Sequence, residues 1–327
     1  MSLLIIIFIV GSVGLIYKFR DRLGFLSGRL SRQLNSKSSS ALTSMDSDEF
    51  IELSFGKVHY IYRSSIDPSS TLNVFVHGFS IPMEIWQDVF QSLSNDNQSC
   101  LIFDLYGRGW SDAPDVPMNV DLFVSQLVEL LFALKLSHEK YNLFGVSMGG
   151  YIVQRFTELY PSRVSKLVLC CSAGLNNPKP SPVLLSILSV PVLGPALFKL
   201  VMQRGDSDKI RSQWAYPGSD KYKQYVDLFL KACKHHPGYL RSLLSTILYF
   251  DFDSALNSIQ TVNKLNIPIL IIWGDKDTLI PVENGYRYHQ LYKNSSLTIV
   301  PGANHSLLIE HSNEAIRAIK PFLNEKN

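Results

Sequence analysis

Residues 142–156, NLFGVSMGGYIVQRF, join a short apolar run, a serine between glycines and a helix-like pattern. Gly145, Ser147 and Gly149 stand in the spacing G-x-S-x-G. A strand that turns abruptly into a helix forces the residue at the bend into a strained backbone, and neighbours without bulky side chains let the two elements approach closely. The bend lifts the hydroxyl clear of the sheet, and the helix N-terminus behind it favours developing negative charge. The same spacing also suits a glycine-rich strand-to-helix turn with an incidental serine, so the rest of the chain has to decide.

Outward from this stretch the apolar pattern alternates between strand and helix. FIELSF and KVHYIYR flank Gly56 and predict a hairpin; residues 72–78, 100–107, 141–147, 165–174, 267–275 and 296–302 read as strands. Helical spacing covers 85–93, 122–136, 148–160, 283–291 and 315–323. Strands alternating with helices predict an α/β fold with a doubly wound, mainly parallel sheet that presents ligands at the carboxyl ends of its strands. Residues 175–262 break the rhythm and read as an inserted, mainly helical cap or lid between core segments 49–174 and 263–327. Within it, 180–198 carries no charge, but Pro191, Gly194 and Pro195 argue against one unbroken membrane span. The stretch is expected to close over a pocket, lie on a membrane surface or pack onto the main domain.

The chain has 327 residues, is 46% hydrophobic and 18% charged, and its net charge of +3 is too small to point to nucleic acid. Four cysteines, Cys100, Cys170, Cys171 and Cys233, show no C-x-x-C spacing and read as reduced and mostly buried, with no metal site. Residues 1–17 carry no charge, enough for roughly 25 Å of helix, near the lower limit for a bilayer. Lys18, Arg20, Arg22, Arg29, Arg32 and Lys37 follow, against the lone Asp21. This charge order is the reverse of a cleaved signal peptide and predicts an uncleaved single-pass anchor over 1–20, with the catalytic body on the cytosolic side. Residues 21–48, basic and then serine-rich, read as a linker.

A serine hydroxyl needs a base to take its proton, and the base needs a third group to orient it. GANHSLLIE places His305 just after the last predicted strand, and WGDKDTLIP places Asp275 and Asp277 after another. Asp275 follows Gly274 directly and suits a turn cap; Asp277 is the better partner for His305. The order Ser147, Asp277, His305 is the one expected of this strand-to-helix nucleophile. For an oxyanion hole, the backbone N–H groups of Phe79, after Gly78 in HGF, and of Met148 are the candidates. His77 reads as a loop brace, and Arg108 as a pocket-entrance residue or, more in keeping with its loop, half of an ion pair.

The motifs HGF, DLYGRGWSD (104–112), GVSMGG, WGDKD and GANH, in this order from about residue 50 to the C-terminus, resemble the α/β-hydrolase superfamily. With the N-terminal apolar segment and apolar cap, the layout is similar to membrane-anchored monoacylglycerol lipases of the α/β-hydrolase-domain group. The resemblance implies Ser147 as nucleophile, Asp277 as acid, His305 as base, a lipid ester substrate met at a bilayer, and no metal or organic cofactor. Serine at 147 argues against epoxide hydrolases and haloalkane dehalogenases, which use aspartate. A C–C bond hydrolase, an acyltransferase and a non-catalytic binding protein on the same scaffold remain alternatives. His305 to Glu310 only loosely resembles the acyltransferase pattern H-x4-D, because its last position is glutamate.

Overall fold

The structure is a computed structural model that describes residues 49–67, 70–136, 138–175, 177, 180–202 and 208–325. The anchor and linker expected over 1–48 lie outside the described residues. Strands β1 (Glu49–Leu53) and β2 (Gly56–Arg63) form the hairpin around Gly56, with Leu53 opposite Gly56. β3 (Leu72–Val76) leads through a short 3₁₀ turn into α1 (Gln87–Asn95), and β4 (Cys100–Phe103) into a long loop and α2 (Val120–Ala133). The α2 start is set by Asn119, whose Oδ1 accepts the Leu122 N–H at 2.9 Å. β5 (Tyr141–Val146) turns at Ser147 into α3 (Met148–Leu159), and β6 (Val164–Cys170) follows. Then come α4 (Pro182–Leu188), α5 (Leu193–Met202), α6 (Asp208–Arg211), α7 (Asp220–His235), α8 (Tyr239–Tyr249) and α9 (Leu256–Leu265). β7 (Ile269–Gly274), α10 (Val282–Leu291), β8 (Ser295–Val300), α11 (Leu307–Glu310) and α12 (Ser312–Asn324) complete the chain.

The strands form one eight-stranded sheet in the order β1-β2-β4-β3-β5-β6-β7-β8. β2 runs antiparallel to β1 and β4, and every other pair is parallel. β3, β4, β5 and β7 are buried along their whole length, which is why they read as unbroken apolar runs. One face packs Trp86, Val89 and Phe90 with Ile319 and Phe322 of α12. The other packs Phe123, Leu127, Ile152, Phe156, Ile259 and Tyr288, from α2, α3, α9 and α10.

β3, β5, β7 and β8 end one or two residues sooner than the apolar pattern predicts, and β4 and β6 end four residues sooner. β4 stops at Phe103; Asp104 keeps one backbone bond to β2, its N–H donating to the His59 carbonyl at 3.0 Å, while its carboxylate accepts the N–H groups of Met83 and Trp110, each at 3.0 Å, and anchors the loop that follows. β6 stops at Cys170 because Cys171 takes a left-handed backbone, φ 43°.

Helices α4 to α8 lie between β6 and β7 and share a core of Leu188, Phe198, Phe229, Tyr239, Leu243 and Leu244. α4 and α5 meet at 108°, and among the described residues no single helix is long and apolar enough to cross a membrane. Gly194 allows the bend, since a Cβ there would stand 2.0 Å from the Leu188 carbonyl oxygen. The outer face of this pair is apolar. Of the twenty large apolar side chains exposed among the described residues, nine lie between 183 and 201, Val183, Ile187, Val192 and Leu200 among them. Leu188 points inward to the insertion's own core.

Candidate active site

Ser147 sits at the turn from β5 into α3 with φ 53° and ψ −120°, a strained conformation for a non-glycine residue. Its N–H donates to the Cys170 carbonyl at 3.0 Å, and its carbonyl accepts from Gly150 at 3.0 Å and Ala173 at 2.8 Å. The flanking glycines answer the question raised by the motif. A Cβ at Gly145 would lie 2.4 Å from the Gly149 carbonyl oxygen, and one at Gly149 would lie 2.3 Å from that of Val76. Strand and helix can meet here only without side chains, and the serine hydroxyl is what remains at the edge. Met148 opens α3, so its N–H is one of the unsatisfied amides of a helix start.

Asp277 and His305 occupy the loops after β7 and β8. His305 Nδ1–H donates to Asp277 Oδ2 at 2.8 Å. The other carboxylate oxygen, Oδ1, accepts from the N–H groups of Leu279 at 2.9 Å and Ile280 at 2.8 Å. The Asp277 side chain is wholly buried and that of His305 is 12% exposed. Asp275 is used differently: its Oδ1 accepts the Gly302 N–H at 2.7 Å and braces the following loop. Among the described residues the hydrogen bonds of His305 go to Asp277 and Asn304, and none joins it to Ser147 Oγ.

On the other side of Ser147, Gly78 lies so close that a Cβ there would stand 3.2 Å from the serine Cβ. His77 braces this loop: its Nδ1–H donates to the Gly78 carbonyl at 2.9 Å, and Nε2 accepts the Leu105 N–H at 2.9 Å. The peptide whose carbonyl His77 holds is the one whose N–H belongs to Phe79. Burial holds the His77 ring down at about 4, against the opposing pull of Asp104, and keeps it neutral.

The sequence motifs do not reveal the roles of three participants at this end of the sheet. Asn304 Oδ1 accepts from Thr278 N–H at 3.1 Å and His305 N–H at 2.8 Å, joining the acid and histidine loops. Its Nδ2 donates to the Ser212 carbonyl at 2.7 Å. Cys171 places its sulfur within 4.8 Å of the ligand-type atoms of Asp277 and His305. Burial first, and then the Asp277 charge, push the Cys171 thiol well up beside the carboxylate. Arg108 forms no ion pair among the described residues, contrary to the expectation for its loop. It is fully buried, and its guanidinium donates to the carbonyls of Phe79 at 2.9 Å and Tyr106 at 3.0 Å and to Thr246 Oγ1 at 2.7 Å. Its acceptors lie far away in sequence, or are backbone, so no local pattern announces them.

Residues 68–312 match the sequence pattern of the family described as serine aminopeptidase, S33, over an eight-stranded sheet with a strained serine after β5. The chain is an α/β-hydrolase. The hydrolase is 22% identical over 254 residues to the monoacylglycerol lipase ABHD6 of Mus musculus, covering 76% of this chain and 74% of the relative. It is 27% identical over 257 residues to the pimeloyl-(acyl-carrier protein) methyl ester esterase of Aliivibrio fischeri (strain MJ11), covering 77% of this chain and 93% of that one. Among solved structures, the bromoperoxidase from Bacillus anthracis superposes with a TM-score of 0.67 at 22% identity, over 85% of the hydrolase and 100% of that chain. At that identity the likeness bears on the fold alone.

Proposed function

We propose that this hydrolase cleaves a carboxylic ester of a lipid, a monoacylglycerol above all, through an acyl-enzyme on Ser147. The observation that carries the reading is the His305 Nδ1–Asp277 Oδ2 bond at 2.8 Å on the same sheet edge as the strained serine. In this mechanism Asp277 fixes the histidine tautomer, so His305 Nε2 is the free base that takes the Ser147 proton as Oγ attacks the ester carbonyl. The N–H groups of Phe79 and Met148 receive the negative charge on the carbonyl oxygen. The alcohol leaves with the proton from His305. Water, deprotonated by the same nitrogen, then attacks the acyl-enzyme and releases the fatty acid.

The lipid half of the proposal draws on the apolar outer face of α4 and α5. Each large apolar side chain moved from water into hydrocarbon contributes roughly 1.5–3 kcal/mol, so this face favours a lipid surface. The uncharged run over 1–17 and its basic flank favour the same surface and a cytosol-facing body. The names of the mouse lipase and the bacterial methyl ester esterase support an ester substrate. On this reading the inserted helices are a cap over the site.

The experiment is to label the chain with a fluorophosphonate, then compare a short water-soluble ester with long-chain monoacylglycerol in vesicles. Ser147→Ala abolishes labelling and lowers hydrolysis of both by about 10⁴-fold or more. Labelling that survives in Ser147→Ala sinks the nucleophile assignment. Hydrolysis of the soluble ester alone sinks the lipid assignment.

A further inference from the structure

We propose that Arg108 is a positioning residue for the oxyanion hole, locking the Phe79 peptide to cap helix α8. The inference rests on the proposed role of the Phe79 N–H. That amide has no side chain to aim it, so its direction is set by whatever holds the two carbonyls around it. His77 holds the carbonyl before it, Gly78 O, from within the core. Arg108 holds the carbonyl after it, Phe79 O, through Nε at 2.9 Å.

The guanidinium then continues into the cap. Nη2 donates to Thr246 Oγ1 on α8 at 2.7 Å. The central carbon of the group also lies over two aromatic rings, 5.6 Å from the Phe79 centroid and 5.4 Å from that of Phe123. A second strap runs beside the first. Tyr239, also on α8, donates its hydroxyl to the Ser80 carbonyl at 2.9 Å, and Ser80 Oγ shares a hydrogen bond with Tyr225 of α7 at 3.2 Å. Successive carbonyls, Phe79 and Ser80, are therefore both tied to inserted helices, while the Phe79 ring packs against the insertion's core.

A buried cation with no carboxylate beside it is costly, and a neutral side chain would fill the space at less expense. What the guanidinium supplies here is a rigid fork that reaches two backbone carbonyls and a cap hydroxyl at once. Burial brings it down to about 10, so it stays charged near neutrality and its bonds are charge-assisted. A cap set differently on the core would pull the fork and turn the Phe79 peptide.

The test uses the full chain with a short soluble ester and two ligands of matched shape. One is a trifluoromethyl ketone, which adds Ser147 and forms an oxyanion; the other is its unreactive secondary alcohol, which forms none. Arg108→Lys keeps the charge but loses the fork. Thr246→Val and Tyr239→Phe each remove one polar strap and little volume, and they stand in should the arginine variant fail to fold. The expected result is a 10- to 100-fold fall in kcat with KM held, matched by an equal loss of trifluoromethyl ketone affinity, for Arg108→Lys. Thr246→Val and Tyr239→Phe show the same pattern at about 3- to 10-fold. Alcohol affinity stays unchanged throughout. A merely structural role would weaken both ligands together with the melting temperature, and that result overturns the proposal. So does unchanged ketone affinity in all three variants while Ser147→Ala is dead, which leaves the ester hydrolase reading standing. Full activity in Ser147→Ala overturns both.

Discussion

Replacing Asp277 by asparagine separates the two aspartates of WGDKD in a way their spacing cannot. Oδ1 of Asp277 accepts two backbone N–H groups, from Leu279 and Ile280. An asparagine carbonyl can accept both, so the loop keeps its shape. The other position, Oδ2, becomes an NH₂ that points at His305 Nδ1, where a carboxylate stood at 2.8 Å. A donor now faces a donor. The ring answers by moving its proton to Nε2, which turns the base toward Ser147 with its lone pair already used. The expected loss in kcat is about 10⁴-fold, about 5 kcal/mol of transition-state stabilisation, with the melting temperature almost unchanged. Asp275→Asn keeps an acceptor for Gly302 N–H on a side chain 34% exposed, and should cost less than about 1 kcal/mol of stability and under about twofold in activity. Hydrolysis of p-nitrophenyl butyrate, with circular dichroism melts of both variants, decides. Equal losses, a larger loss for Asp275→Asn, or a loss that merely follows the melting temperature would refute the argument.

Three further outcomes follow from the same geometry. His77 is held neutral down to about 4, whereas an unfolded histidine takes its proton near 6.5, so as pH falls between these values only the unfolded chain gains charge. Stability should therefore drop by up to about 3 kcal/mol across that window, and urea melts of His77→Gln should show a shallower slope; identical slopes would reject the account. Val183→Asp with Leu200→Asp, both outward on the cap, should weaken apparent affinity for vesicle-borne monoacylglycerol at least about 10-fold and spare the soluble ester, whereas Leu188→Asp, pointing into the cap core, should harm both. Equal losses for the outward pair would detach the cap face from the lipid. The exposed sequon at Asn97 should stay unglycosylated if the body faces the cytosol, and an endoglycosidase-sensitive mass shift would reverse that orientation; Asn304 cannot serve, because its amide is buried and bonded within the histidine loop.

What could be read from the chain alone was whatever rests on local pattern. Buried parallel strands such as β5 and β7 are unbroken apolar runs, and the elbow glycines are demanded by close backbone approach, so both leave marks in sequence. Asp277 was separable from Asp275 because a side chain directly after a strand's last glycine is placed to cap, while one two residues later is placed to reach outward. Contacts made across long sequence separations left no such mark. The Arg108 fork joins residues 79, 106 and 246, and Asn304 joins 212, 278 and 305. The apolar stretch over 180–198 is ambiguous in sequence because spacing does not reveal which side of a bent pair meets the core; in the structure Leu188 faces inward while its neighbour Ile187 is exposed. The loop after β4 is likewise organised by one buried carboxylate, Asp104, whose partners at 59, 83 and 110 lie apart in sequence.

The inserted helices come between β6 and β7 in chain order, with β8 later still. A ribosome therefore delivers Ser147 long before it delivers His305, 158 residues downstream. At about 5–20 residues per second that interval is roughly 8–30 s. For most of it the nascent chain has β5 and β6 but not β7, so the sheet stops at a β6 edge that awaits its partner. On the proposed mechanism such a chain is inert toward any ester around it, and hydrolytic capacity arrives only as the last strand pairs and its loop closes.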